Sequence, residues 1–530
     1  MKLANIINIT LLTAAFQFMT LAQGNEIVAY YPEWGVSHQP YYVKYVETSG
    51  AAKKITVLNF AFVEPGPDSA GNIIPKFMNA LYDYQQVYTA EMSVDGVADD
   101  STQAIRGQFN QLKKLKALHP GLKILLAVGG WTGSVHFSDA ALTPDSREKF
   151  VNYCIDKFIV GNLPKANNAG GAGVAAGIFD GFDIDWEFPV EGGVEGIHHN
   201  KADKENLTAL VMLLRAKLNA INPKFLLTMA VSARVSDLWK FNTATDQKYL
   251  DWYNVMTYDF HGTWEQTTNH HANLFVSPMD PTGGAAGSFD NTIHYMLDSL
   301  KIPKSKLVPG VAFYGRGWKD AGPVNAGLFQ TGSAAPGVYD AGFSYYNDLH
   351  TKLKHGYERH WDDGAMAPYY YNPTDKIFWS LDDAKSIALK TRYVDAHQLR
   401  GIMFWELSGD DSAGTLVNCL FTRKMPDIKN ASTAFTKRSS AISIIAPHNL
   451  DKVPMGSDVI IRTHFDDGLK KIAKVEFFAD DRSLGYDTEI PFSWVWFNIP
   501  AGKHKLKIIA TGVDGSRLIS NEIQVVAGNK

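Results

Sequence analysis

Only two cysteines, Cys154 and Cys419, occur among 530 residues. Two thiols build neither a disulfide framework nor a cysteine-ligated zinc site. Both read as buried thiols, a single bridge being the alternative. Neither sign of charge is in excess: 51 Lys and Arg stand against 55 Asp and Glu, a net charge of -4. That balance argues against nucleic acid or an anionic membrane as partner. Long apolar runs are as scarce. One spans Ile6 to Ala22 behind Met1-Lys2, with no acidic residue before Glu26. It is short for a transmembrane helix and has one basic flank, and Thr20-Leu21-Ala22 fits a cleavage site. Residues 1–22 are therefore expected to be a signal peptide, with an uncleaved anchor as the alternative. The remainder is expected to be secreted, extracellular, off the membrane and monomeric, with no cofactor and no metal.

What is plentiful is aromatic. Aromatic residues make up 12% of the chain, twelve of them Trp. Most should fill core, but excess Trp also suits stacking on the apolar faces of sugar rings. The length suggests two to four domains, and a 45% hydrophobic share is enough for a large core.

One stretch organises the rest: Asp180-Gly181-Phe182-Asp183-Ile184-Asp185-Trp186-Glu187-Phe188-Pro189. Phe182, Ile184 and Trp186 alternate with Asp183, Asp185 and Glu187, the period of a strand. One face is apolar and the other carries three acids, roughly 6.5–7 Å apart along the strand. Like charges so placed raise each other's pKa, and one acid can then hold a proton near neutral pH. A metal site or a solvated strand edge is the plainer alternative.

The stretch resembles the D-x-x-D-x-D-x-E signature of glycoside hydrolase family 18, the chitinase family, with Asp180, Asp183, Asp185 and Glu187 at its fixed positions. The resemblance covers about residues 25 to 425. Strands alternate with helices over that span, which argues for a parallel α/β fold. Expected strands are Ile27–Tyr31, Ile55–Val63, Leu122–Val128, the carboxylate strand, Phe225–Val231, Tyr253–Tyr258, Leu307–Tyr314 and Gly401–Trp405. Expected helices include Gln103–Leu118, Ser146–Val160 and Lys204–Ala220, with a loop over Asn167–Gly173. Eight strands favour a (β/α)8 TIM barrel, and the family supplies closure. The catalytic barrel is expected over 23–428. About eighty residues between the last two strands, 316–400, are too many for a loop; the resemblance implies an α+β insertion there. A polar linker, 429–440, leads to short strands over 441–530, which resemble a bacterial immunoglobulin-like β-sandwich.

The resemblance also implies roles. Glu187 would be the general acid and then the base. The substrate's own 2-acetamido oxygen would attack the anomeric carbon, a substrate-assisted scheme the family is known for. Asp185 would orient the acetamido group, with Asp183 beneath it, and the stack would titrate as a unit. Tyr258 would bond the acetamido oxygen and Asp259 a sugar hydroxyl. Trp405 would be the floor under the sugar. Tyr30, Trp34, Trp131, Trp264, Tyr314 and Arg316 would complete the substrate contacts, and Asp180, Gly129 and Gly130 would be structural. Most of these close their strands, where barrel active sites sit. One position departs from the pattern. The family's third strand reads S-x-G-G, but here Ala127 replaces the Ser, so Asp183 is expected to lose one donor and the pair to gain proton affinity. The expected substrates are chitin and chito-oligosaccharides. A non-catalytic chitin-binding lectin and an endo-β-N-acetylglucosaminidase acting on N-glycans are the competing readings. In the tail, Trp494 and Trp496 share a strand face and serve either core or sugar binding.

Overall fold

In the computed structural model, which describes residues 26–38, 40–423, 436–438, 441–466 and 472–529, eight parallel strands close on themselves. They are β1 Glu26–Pro32, β2 Val57–Pro67, β3 Lys123–Gly129, β4 Gly181–Asp185, β5 Leu226–Ser232, β6 Trp252–Met256, β7 Leu307–Ala312 and β8 Gly401–Trp405. Each pairs with its successor, and β8 returns to β1 through Glu26 opposite Gly401. This is the (β/α)8 barrel. The expected signal peptide lies outside the described residues, as does most of the expected linker. Among the described residues no helix is long and apolar enough to cross a membrane.

Side-chain parity divides the core in two. Val28 and Tyr30, Leu125 and Ala127, and Met403 fill the barrel interior. Their neighbours Ile27, Ala29 and Tyr31, Leu126 and Val128, and Phe404 pack outward under the helices. On β4 the outward set is Phe182 and Ile184, followed by Trp186, whose ring stacks on Phe137 at 5.2 Å. Fully burying one such side chain stabilises the fold by about 1.5–3 kcal/mol.

Helices α1 Gly107–Leu118, α2 Pro144–Cys154, α3 Asp203–Ile221 and α4 Ala384–Ala396 belong to the outer ring. The helix expected over Ser146–Val160 ends at Cys154 and continues as a π-turn, Ile155–Ile159. The expected loop over Asn167–Gly173 contains one arm of a hairpin, Leu163–Ala166 paired with Ala169–Gly171. Asn167 and Asn168 turn it with φ of 51° and 63°, the left-handed pair that a two-residue hairpin turn requires and that Asn tolerates.

Between β7 and β8 stands an antiparallel sheet in which Tyr314–Lys319 pairs with Ile377–Leu381, that strand with Ala367–Asn372 and the last with Glu358–Asp362, and the chain between also forms the short helix Tyr346–Lys352. The tail forms two facing sheets, one of them built from Ile442–Ala446, Val459–Phe465 and Ser493–Trp496. Phe477, Trp494, Leu506 and Ile508 fill the space between them. Both cysteines are buried and unpaired.

The sandwich is docked, not dangling. Val495 and Phe497 belong to the barrel's own apolar cluster. Lys385 of α4 pairs with Asp487 at 2.8 Å, both almost wholly buried, and Arg359 pairs with Glu489 at 2.7 Å. Arg392 lies 3.5 Å above the Trp494 ring, which stacks on Phe477 from the other side. Trp494 is thus covered on both faces and is core. Trp496 is half-buried, with its edge on His504.

Candidate active site

The first inward acid of β4, Asp183, is fully buried. It accepts four hydrogen bonds: from Thr228 Oγ1 at 2.5 Å, Tyr30 Oη at 2.6 Å, Asn254 Nδ2 at 3.0 Å and Asn59 Nδ2 at 3.1 Å. Burial pushes its pKa up, and the donors pull part of the way back. The donor expected to be lost at Ala127 is absent, and Tyr30 is kept. Ala127 stands opposite Asp183 on β3 and contributes nothing, but Asn59, Thr228 and Asn254 converge from β2, β5 and β6. Each is a polar residue between apolar or aromatic neighbours on its strand, a signal present in the sequence that only strand parity makes useful.

Asp185, the next inward acid, is buried, and its Oδ1 has no hydrogen-bond partner. Burial first, then the charges of Glu187 and Asp183, push its pKa well above the carboxylate range. Glu187 follows the end of β4, half-buried at the barrel mouth. Its N–H donates to Ser134 Oγ at 2.8 Å, and Ser134 Oγ in turn donates to Gly130 O at 2.7 Å. Desolvation, helped by the charge of Asp259, raises the Glu187 carboxyl to about 8.

The turn after β3 makes room for this strand. Gly129 has φ 110°, and a Cβ there would lie 2.1 Å from Asp185 O. Gly130 has φ 81°, and its Cβ would meet the Phe62 ring at 2.5 Å. No side chain fits either place. Asp180 works at the opposite end of the barrel. Its carboxylate accepts from Ile124 N at 2.9 Å and pairs with Lys116 at 2.7 Å, which ties β3 to β4 away from the mouth.

Tyr258 follows β6 and is buried, with the charges of Asp185, Glu187, Asp259 and Asp183 all raising its pKa after burial itself. Its hydroxyl lies 3.6 Å from Met403 Sδ. Asp259, next to it, is gripped by Arg316 through Nε at 2.8 Å and Nη2 at 2.6 Å. Burial alone would raise the Asp259 carboxyl; the Arg316 charge instead holds it well below the usual range. The two residues expected as separate sugar contacts are thus partners of each other.

Aromatic rings line the mouth. Trp405 is half-buried and stacks on Phe62 at 5.7 Å, with Tyr30 at 5.4 Å and Trp34 at 6.1 Å. Trp131 and Trp264 are about half exposed, at 51% and 53%. Arg316 and Arg234 flank the Trp264 ring, each at 5.5 Å. Tyr30 and Tyr314, expected among the sugar contacts, are buried: Tyr30 holds Asp183, and Tyr314 stacks on Phe343. A further exposed indole, Trp239, stands in the turn after β5. No motif marks it in the sequence, although it too follows a barrel strand.

A protonated acid above a buried, donor-fed carboxylate, at the floor of an aromatic-lined mouth, suits acid-catalysed cleavage of a sugar bond. Comparison with known proteins agrees. Residues 26–410 match the model of glycosyl hydrolases family 18, and residues 441–508 that of a bacterial Ig domain.

The chain belongs to glycosyl hydrolase family 18.

Among curated relatives, Chitinase A1 of Niallia circulans is 36% identical over 421 residues, covering 73% of this chain and 57% of that one. Chitinase C of Streptomyces lividans is 36% identical over 396 residues, covering 73% and 58%. The chain thus spans less than two thirds of the length of these curated relatives. Among solved structures, the catalytic domain of psychrophilic chitinase B from Arthrobacter TAD20 gives a TM-score of 0.69 at 35% identity, covering 76% of this chain and 95% of that one. Chitinase ChiA74 from Bacillus thuringiensis gives 0.66 at 28% identity, with 95% and 84% covered. The family 18 match takes in all eight barrel strands and the inserted sheet, and the Ig match begins at 441, just after Thr436–Arg438, a strand within the expected linker that pairs with Arg517–Ile519 of the sandwich.

Proposed function

We propose that this family 18 protein is a secreted chitinase that hydrolyses β-1,4 bonds between N-acetylglucosamine units with retention of configuration. Glu187 protonates the leaving oxygen and then, as carboxylate, takes a proton from the attacking water. Between these steps the substrate's acetamido oxygen closes on the anomeric carbon and forms an oxazolinium ion. Asp185 orients the acetamido N–H and balances the cation, Asp183 steadies Asp185 from below, and Tyr258 bonds the acetamido oxygen. Trp405 is the floor, with Trp34, Trp131 and Trp264 extending it along the cleft.

The observation that carries this reading is Asp185 Oδ1, a buried acceptor without a donor, between a donor-saturated Asp183 and a Glu187 raised to about 8. A buried acceptor left unmatched costs about 1–3 kcal/mol, which a substrate N–H would recover. The names of the relatives support chitin as the polymer. We place the functional boundaries at a signal peptide over 1–22, a catalytic unit over 23–428 and a sandwich over 441–530, the protein acting as an extracellular monomer.

The test sets release of chitobiose from colloidal chitin beside release of high-mannose glycans from a glycoprotein. Chitobiose alone is expected. Glycan release alone would transfer the reading to an endo-β-N-acetylglucosaminidase, and binding without any release would make the protein a lectin.

A further inference from the structure

Outside the barrel mouth, three side chains with ligating atoms meet: His136, Asp139 and His198. Nothing in the sequence pattern marks them, because His198 lies 59 residues from Asp139 and the pair 136/139 alone is common on helices. Asp139 Oδ2 sits 2.8 Å from His136 Nδ1 and 2.6 Å from His198 Nδ1. The two imidazole rings are 4.8 Å apart and nearly perpendicular. One ligating atom from each of the three residues falls within 4.8 Å of the others.

We propose that His136, Asp139 and His198 form a binding site for one divalent transition-metal ion of the zinc class. Two imidazoles and one carboxylate are the donor set of three-ligand zinc sites, with a fourth position left to solvent. Ligand distances of about 2.0–2.2 Å require the donor atoms to stand roughly 3.3–3.5 Å apart. The carboxylate oxygen therefore retreats by roughly 0.5–0.9 Å, a side-chain rotation within reach of a partly exposed residue. All three side chains are open to solvent, at 29%, 35% and 51%, which gives the ion its entry. Imidazole donors select against calcium and magnesium, which take oxygen ligands.

The site joins two segments that frame the catalytic acid. His136 and Asp139 lie at and in the short helix Phe137–Ala141, which follows β3. His198 is on the segment between β4 and α3, where its N–H donates to Val135 O at 2.9 Å. Two residues before His136 is Ser134, whose Oγ accepts the Glu187 N–H. Nearby, Asp203 gathers Ser138 Oγ at 2.7 Å and Asn200 N at 2.7 Å, so the two segments already interlock. A bound ion adds a coordinate cross-link to that frame and binds only the folded chain, so it raises the melting temperature. The proposal does not depend on what the barrel hydrolyses.

The experiment uses untagged full-length protein stripped of metal. Titration calorimetry with zinc chloride alone at pH 7.5 should show one equivalent bound with micromolar or tighter affinity. His198→Gln and Asp139→Asn should each weaken it at least tenfold, while His199→Gln, at the exposed neighbouring imidazole, should not. Zinc should raise the melting temperature of wild type and of His199→Gln, but not of His198→Gln. Without zinc, His198→Gln should keep wild-type circular dichroism, which separates lost binding from lost folding. Absence of stoichiometric binding overturns the proposal, and so does binding that survives His198→Gln or is matched by calcium.

Discussion

Thr228 holds the shortest of the four hydrogen bonds to Asp183, so its removal should be felt first. Thr228→Val keeps the shape but withdraws one donor from a buried carboxylate. Stability should fall by about 1.5–3 kcal/mol, the range for hydrogen bonds to charged groups. With a donor gone, the carboxylate's pKa rises, so the limb of the pH–rate profile set by the aspartate pair should move to higher pH. An unchanged profile in a folded variant would show that Asp183 is not electrically coupled to turnover. Glu187→Gln is the complementary change. It should retain oligomer binding and lose about 10²–10⁴-fold in turnover. It also carries a stability signature. Folded Glu187 keeps its proton up to about pH 8, whereas an unfolded glutamate releases it near 4.5. Between those values the folded state holds the extra proton, so stability falls as pH rises. Glutamine has no proton to lose. Its melting temperature should exceed that of wild type by roughly 2 °C or more at pH 9, with less difference at pH 5. At this scale the sequence displays Glu187, Asp185 and Asp183 because they alternate along one short stretch. It hides Asn59, Thr228 and Asn254 because their convergence on Asp183 depends on which strands face each other across the interior.

The pairing of Asp259 with Arg316 joins the end of β6 to the first strand of the inserted sheet. Asp259 is also the charge that, after burial, raises Glu187. Asp259→Asn removes that charge and leaves Arg316 unneutralised, and both changes favour ionised Glu187. The alkaline limb of the rate profile should therefore move to lower pH, while Asp180→Asn, at the far end of the barrel, should leave the limb in place. A limb unmoved by Asp259→Asn would mean that Asp259 does not set the proton affinity of the acid. Elements are the most legible level of this chain. Strands alternating with helices locate the barrel, and the period-two acids with the candidate residues that close most of its strands mark the rim. The Asn167-Asn168 hairpin does not show, because its signal is two left-handed residues and not an apolar pattern. Nor does the grip of Arg316 on Asp259, because motif matching treats each residue alone, while opposite charges at a shared mouth neutralise each other.

The whole molecule adds a contact that composition cannot show. A polar stretch before a run of short strands reads as a tether, yet the sandwich buries Val495 and Phe497 against the barrel and matches Lys385 with Asp487. Burial of that pair costs desolvation, which its mutual attraction and two carbonyl acceptors for Lys385 offset. Truncation at residue 440 should leave hydrolysis of soluble oligomers nearly unchanged at 25 °C, since the mouth lies on other elements. It should also lower the melting temperature by roughly 3 °C or more, because the barrel loses two apolar partners. An unchanged melting temperature would show the docking to be energetically empty. Trp494 is spent on this junction beneath Arg392, so a chitin-binding role for the sandwich would have to rest on other residues. The proposed chemistry stands or falls on Glu187 and Asp185 acting with the substrate's own acetamido group. The decisive measurement is proton NMR of the first product released from a chito-oligosaccharide, read before mutarotation. Participation of the acetamido group predicts the β anomer; an initial α anomer would contradict it.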